Sequence, residues 1–440
     1  MKRGWLLLGA LLGAGNAARA NGRPPAPIST AIEPAPGQRL LIGTTFGVLV
    51  SSDQGATWRW ICEQAVYNST NLGMFDPRYL VSPTGTVYAA LSSGLSLSRD
   101  GGCSWQYAGG PLAGAWIDDV ATSPVDVQTV YAVTSTTGVA NGLFMSHDDG
   151  RTWAPVGTPD PVAYYRRVVA VGADAYISGY DSASPGGSQH LWKYTGATGA
   201  LAATTGYVGL ESAGAILEHF GASQRTPGLL YLKAKAPGGL DAAYKSADGG
   251  MHWVRIYAAE TLRATLLDQN DTLWLATATG AQPAIVSSTD GGTTWVTGAT
   301  DRMFGCLGKR GGTLYGCVPN ATGWAFGQSQ DGLTWSPLLR FSDLQGVLAC
   351  PAGSLTHDLC EPLWPTLAMQ LGVGSGGDGG AGAPDAGAHD GGLFRPDGGG
   401  PGGGPGGGGG CSVGDELAIG CGVVLGLALI GLLLGRRPYD

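Results

Sequence analysis

Six near-copies of one short string constrain this chain more than anything else in it. They are SSDQGATW (51–58), SRDGGCSW (98–105), SHDDGRTW (146–153), SADGGMHW (246–253), STDGGTTW (288–295) and the one-shorter SQDGLTW (329–335). Before each string the residues alternate with a period of two, as in GVLVS, GLSLS and AIVSS, and another extended segment starts at its tryptophan. Between the two strands lies a tight turn. Its aspartate can accept hydrogen bonds from backbone N–H groups of the same turn, and its glycines supply positive φ. The tryptophan then buries a large ring that a thin sheet needs for packing.

Spacing converts the repeat into an architecture. The turn aspartates are Asp53, Asp100, Asp148, Asp248, Asp290 and Asp331, so five intervals run 47, 48, 100, 42 and 41 residues. The double interval calls for a seventh, decayed copy near residue 198, where HLWKYTGATGAL keeps the strand-turn-strand pattern without the aspartate. A period of about 40–50 residues with four short strands each is the signature of a β-propeller. The expected fold is therefore all-β, seven blades of four antiparallel strands. In the second blade these are PRYLVSP, TVYAAL, GLSLS and SWQYAG, and IDDVATSP, YRRVVAVG, GAILEHFG, RATLLDQN and RMFGCLG are the innermost strands of the later blades. Residues 21–36 are Pro-rich and offer the first blade no innermost strand. Gly346 to Cys350 is expected to supply it by pairing with Arg39 to Thr45, closing the ring and removing two free sheet edges.

The repeat resembles the Asp-box, or bacterial neuraminidase repeat, through Asp53, Trp58, Asp100, Trp105, Asp148, Trp153, Asp248, Trp253, Asp290, Trp295, Asp331 and Trp335. The box reads as a structural fastener and not a ligand or metal site, because its aspartates stand at turns about 40–50 residues apart with no His or second carboxylate at metal spacing. Proteins with this box include sialidases, xyloglucan-cleaving glycosidases, sortilin-type receptors and photosystem II assembly factors with bacterial relatives, so the fold does not choose a function. The Arg-Ile-Pro stretch of a sialidase is absent, and a xyloglucan-cleaving member normally has two propellers where this chain has one.

Both ends read as targeting and attachment. Residues 1–20, with Lys2, Arg3, an apolar run and Ala18-Arg19-Ala20, form a signal peptide. The propeller is expected over 37–371. Residues 372–411 are dominated by Gly, Ala, Asp and Pro and cannot bury a core, which makes a disordered linker. Leu417 to Gly435 is uncharged and long enough for one transmembrane helix, followed by Arg436 and Arg437 within the basic tail of segment 412–440. This end resembles the sorting signal of myxobacterial surface proteins, which implies processing at Cys411; a permanent single-span anchor is the other reading. An exported, cell-surface protein follows, with its membrane contact through the C-terminus.

Among 440 residues with a net charge of −8 there is no basic block, which argues against nucleic acid. Export suits disulfides, and among the 15 pairings of six cysteines the expected ones are Cys306–Cys317 in adjacent strands of blade seven, Cys350–Cys360 around a short loop, and Cys62–Cys103 near the boxes of consecutive blades. The histidines are scattered without ligand spacing, so neither metal nor cofactor is expected. Arg78, Arg166, Arg167, Arg263 and Arg302 stand at or just before the starts of innermost strands, where loops meet at a central channel. With Tyr164, Tyr165 and Trp116 as stacking surfaces, they form an electropositive mouth for an acidic peptide, a carboxylate or a sugar acid. Asp118 and Asp119 are adjacent, so strict alternation sends them to opposite faces and disfavours a paired acid and base. The expected function is a monomeric, non-enzymatic binding or assembly module for a protein or glycan. The alternative is a secreted glycoside hydrolase of sialidase or xyloglucanase type, which needs two facing carboxylates.

Overall fold

The computed structural model of the chain describes residues 24–374, apart from 71, 73, 74, 182–187, 206, 207, 211–214 and 237. The expected signal peptide, most of the glycine-rich linker, Cys411 and the apolar helix lie outside the described residues; within them, no helix is long and apolar enough to cross a membrane.

Among the described residues twenty-eight short strands form seven four-stranded antiparallel sheets, each made of four consecutive strands. Their innermost strands are Pro27–Ile32, Arg78–Val81, Ile117–Thr122, Ala163–Val171, Ile216–Ala222, Thr261–Leu267 and Cys306–Arg310. Each touches the next, and Cys306–Arg310 touches Pro27–Ile32, so the blades form a closed ring. The box-less blade is the fourth, whose hairpin turns at Thr195–Gly199 with Gly199 at φ 68°.

Two expectations about the ends are corrected. The first blade has its own innermost strand, Pro27–Ile32, inside the segment read as Pro-rich and outside the domain, in register with Leu40–Thr44. Prolines at an edge position and in the turn do not prevent it, because an innermost strand leaves one edge unpaired. Gly346–Cys350 therefore does not pair with Arg39–Thr45. It runs parallel to the outermost strand of the first blade, with Trp60 N–H donating to Gly346 O at 2.9 Å and Leu348 N–H to Trp60 O at 2.9 Å. Linkers elsewhere do the same: Val208 pairs in parallel with His252 of blade five, and Ala299 N–H donates to Gly332 O of blade seven. After blade seven the chain thus re-enters blade one as though it were the next blade in line.

Beyond that latch the chain turns helical, which the strand-only reading missed. Helices α1 (Glu63–Tyr67), α2 (Leu355–Cys360) and α3 (Trp364–Leu371) pack over the first blade, where Trp364 meets Trp60 at 5.9 Å and Phe341 meets Phe46 at 5.1 Å. Ser354 caps α2 by accepting the His357 N–H. The disulfide pairing is corrected with it. Cys62 is bonded to Cys360 and Cys103 to Cys350, while Cys306 and Cys317, directly opposite in adjacent strands of blade seven, are bonded to each other.

The repeated turn is a fastener whose bonds recur from blade to blade. In blade three Ser146 Oγ donates to Asp148 Oδ1 and accepts the Gly150 N–H, both at 2.8 Å; Asp148 accepts the Thr152 N–H and hydroxyl at 2.8 and 2.6 Å. Trp153 then returns its indole N–H to Gly150 O. The tryptophans also reach the preceding blade, as Trp58 Nε1 does to Leu338 O and Trp295 Nε1 to Ile256 O. In blade three the neighbouring Asp149, at φ 54°, accepts bonds from Ser82, Thr86 and Tyr88 of blade two.

Burial pushes the Asp148 carboxyl up, but the Thr152 hydroxyl and N–H and the Ser146 hydroxyl outweigh it and hold the group at about 2. A carboxyl lowered from 3.8 stabilises the fold above that value and loses the contribution as pH falls towards 2. Ser146→Ala strands the buried Gly150 N–H, with an expected cost of about 1–3 kcal/mol. Urea unfolding at pH 7 checks the cost, and a repeat at pH 2 checks the linkage: the difference between parent and variant should shrink there, and an unchanged difference would contradict the role given to Asp148.

Candidate functional site

Antiparallel pairing places the repeated turns at one end of the ring and the starts of the innermost strands at the other. At this second end the innermost strands depart from regular pairing. Register shifts set Asp118 out of step in blade three, Arg166 in blade four and Arg263 in blade six. A bulge leaves one residue unpaired and re-aims its side chain. Here it carries a charge in all three blades.

Asp118 and Arg166 meet across blades three and four at 3.7 Å, Oδ2 to Nε. Next to them Glu218, buried on the innermost strand of blade five, is held by Lys233 at 3.2 Å and by Arg167 at 3.1 Å. The Arg167–Glu218 contact is out of line for a hydrogen bond, and Arg167 Nη1 is buried with no hydrogen-bond partner among the described residues. Asp119 accepts the Val168 N–H at 3.1 Å. Four cations (Arg78, Arg166, Arg167 and Lys233) and three carboxyls (Asp118, Asp119 and Glu218) therefore form one cluster spanning blades two to five.

These charges act on one another. Burial pushes the Asp119 carboxyl up to about 7 against the pull of Arg78, with Asp118 adding to the rise. Asp118 is raised too, burial prevailing over Arg166 and Arg78. Glu218 goes the other way: burial opposes its charge, but Lys233, Arg78 and Arg166 together hold its carboxyl below the usual range. Near neutral pH the cluster therefore carries an excess of positive charge, larger while Asp119 keeps its proton.

Aromatic pairs stand at the same end. Tyr164 and Tyr180, opposite in register in blade four, stack at 5.0 Å with their planes 8° apart. Phe75, which is 40% exposed ahead of blade two, lies 4.7 Å from Trp116, which precedes the innermost strand of blade three. Arg302 lies 5.0 Å above Trp324 ahead of blade seven.

Several expected site residues change standing. Tyr165 is not a stacking surface: it is buried against Trp192 in the core between blades three and four. Arg302 does not join the cluster, being paired with Asp301 and stacked on Trp324, and Arg263 is exposed on blade six without an ion-pair partner in the cluster. The mouth is a mixed-charge cluster and not a bare positive one. Glu218 and Lys233 were not singled out in the sequence, and Asp118 and Asp119 were set aside on strict alternation, which the bulge breaks. A glutamate inside the apolar strand ILEHFGA was the available signal for Glu218. Among the described residues no group of His, Cys, Asp and Glu is arranged to hold a metal ion.

No family model matches the sequence, and no curated protein does. Solved structures resemble the chain over part of its length. A GH74 enzyme from Niastella koreensis is 16% identical over 71% of this chain and 65% of its own (TM-score 0.44), and the GH74 xyloglucanase from Xanthomonas campestris is 17% identical over 70% and 60% (TM-score 0.43). A puromycin-hydrolyzing peptidase from Mycobacterium tuberculosis is 13% identical over 78% of this chain and 56% of its own (TM-score 0.52). The chain thus spans less than two thirds of the length of each. At such identities a likeness speaks of fold alone, and the seven-bladed propeller is read from the chain's own sheets.

Proposed function

We propose that this chain is an exported, surface-anchored Asp-box propeller that binds a protein or glycan ligand bearing acidic groups at the channel mouth, without transforming it. The observation that carries this reading is the cluster itself: four cations against three carboxyls, one of them protonated to about pH 7, five of the seven set on innermost strands with a register shift, beside aromatic pairs. Export is supported by the signal peptide pattern at residues 1–20 and by the three disulfides, which suit an oxidising compartment. Attachment is supported by the glycine-rich segment, the apolar run and the terminal arginines.

The test is proton-linked binding. Ionisation of Asp119 adds a negative charge to the mouth, so affinity for acidic peptides and acidic oligosaccharides should fall about three- to tenfold from pH 6 to pH 8. Asp119→Asn should flatten that dependence, and Arg166→Gln should weaken binding at every pH. Calorimetric titration of an array-selected ligand reads all three; a pH-independent affinity would remove Asp119 from the site.

One observation favours a second reading, a glycoside hydrolase. One carboxyl of the cluster raised to about 7, at Asp119, and another held below its usual range, at Glu218, give the acid-base asymmetry that such chemistry uses. Release of reducing ends from a polysaccharide panel, abolished in Asp119→Asn, would establish it in place of the first.

A further inference from the structure

We propose that Tyr164, Tyr180, Arg166 and Asp118 form a subsite for a sugar ring that carries a carboxylate, a residue of the uronic-acid type. This deepens the reading of the mouth as an acidic-ligand site and rests on it. Cross-strand register sets Tyr164 against Tyr180, and the bulge that follows at Arg166 turns its guanidinium out of the ladder, two residues from Tyr164. Tyr180 lies within the field of both Arg166 and Asp118, so stack and ion pair belong to one corner.

The chemistry of the corner calls for a ligand with three properties at once. A near-parallel aromatic pair offers flat π-faces, which suit the C–H face of a pyranose ring and give an extended peptide little to match. Arg166 offers donors to a carboxylate. Asp118, 3.7 Å from Arg166, is an acceptor that repels a ligand carrying anionic groups alone but accepts hydroxyl donors flanking one. A sugar acid has the flat face, the hydroxyl groups and the carboxylate within one ring. A neutral sugar brings Arg166 no carboxylate beyond Asp118, and an acidic peptide leaves the stacked rings unused.

Calorimetric titration of the full chain with a uronic-acid hexasaccharide, its fully methyl-esterified form and hexaglutamate separates the cases. The proposal expects the hexasaccharide to bind and esterification to weaken it at least about tenfold by removing the charge-assisted contact. Tyr164→Ala should weaken it about tenfold through lost stacking, with Tyr164→Phe restoring most of the affinity and showing that the blade still folds. Equal binding of the ester overturns the proposal. Hexaglutamate binding at least as tightly as the hexasaccharide, unaffected by Tyr164→Ala, overturns the sugar while leaving the acidic-ligand site intact. Failure of all three probes overturns both.

Discussion

Replacing Cys62 and Cys360 by alanine is expected to cost about 4 kcal/mol of unfolding free energy even with Cys103–Cys350 intact, more than the loss of Cys306–Cys317. The reason is chain entropy. Cys306 and Cys317 are 11 residues apart and constrain little of the unfolded chain, about 3 kcal/mol on a loop-closure estimate. Cys62 and Cys360 are 298 apart, and Cys103 and Cys350 are 247 apart. With one long bridge in place the other closes a residual loop of about 50 residues, which still corresponds to about 4 kcal/mol. The loss should also be local in character. Beyond the Cys103–Cys350 bridge, the contacts of α2 and α3 with the first blade and the Thr356 bonds to Cys103 O and Gly102 O would then hold the terminal segment, with the parallel latch at 345–348 ahead of it. Limited proteolysis should therefore cut the Cys62→Ala/Cys360→Ala variant between residues 349 and 374 before any cut in the blades, while Cys306→Ala/Cys317→Ala is cut no faster than the parent. If urea unfolding ranks the short bridge above the long one, the terminal segment contributes less to holding the ring than its covalent ties imply.

The same segment explains where sequence reasoning succeeded and where it stopped. Blade number was legible because Asp53 to Asp331 recur at intervals that only a seventh, box-less unit reconciles, and each turn is specified locally by Ser, Asp and Gly within a few residues. Closure was legible as a need, since an unclosed ring leaves edges, but not as a geometry. Parallel pairing with Trp60 has no local signature, and local placement misassigned Cys62, Cys103, Cys350 and Cys360 because their partners are set by where the chain returns after blade seven. The site divides in the same way. Arg78, Arg166 and Arg167 were visible as cations at strand starts. Their carboxylate partners were not, because the period-two rule that identifies strands assigns Asp118 and Asp119 to opposite faces, and one bulged residue is enough to break it.

Glu218→Ala is expected to cost about 3–5 kcal/mol, because it removes the one anion from between two cations that are mostly withdrawn from water. Lys233 retains 14% and Arg167 17% of side-chain exposure. The pair was assembled at a desolvation cost that Glu218 offsets, so deleting it leaves that cost uncompensated rather than merely losing an attraction. Two controls give the interpretation content. Glu218→Gln keeps the shape and should still lose most of the stability, since charge and not volume is at issue. Glu218→Met combined with Lys233→Met should recover much of it, because an apolar pair of similar volume needs no counter-ion, although Arg167 limits the recovery. The single variant should also become sensitive to anions: acetate or sulfate added to Glu218→Ala should raise its urea midpoint more than the parent's by occupying the vacated position beside Arg167 and Lys233. A cost below about 1 kcal/mol with no anion dependence would mean that water already solvates these cations, and the channel mouth would then be too wet for Asp119 to hold its proton near neutrality.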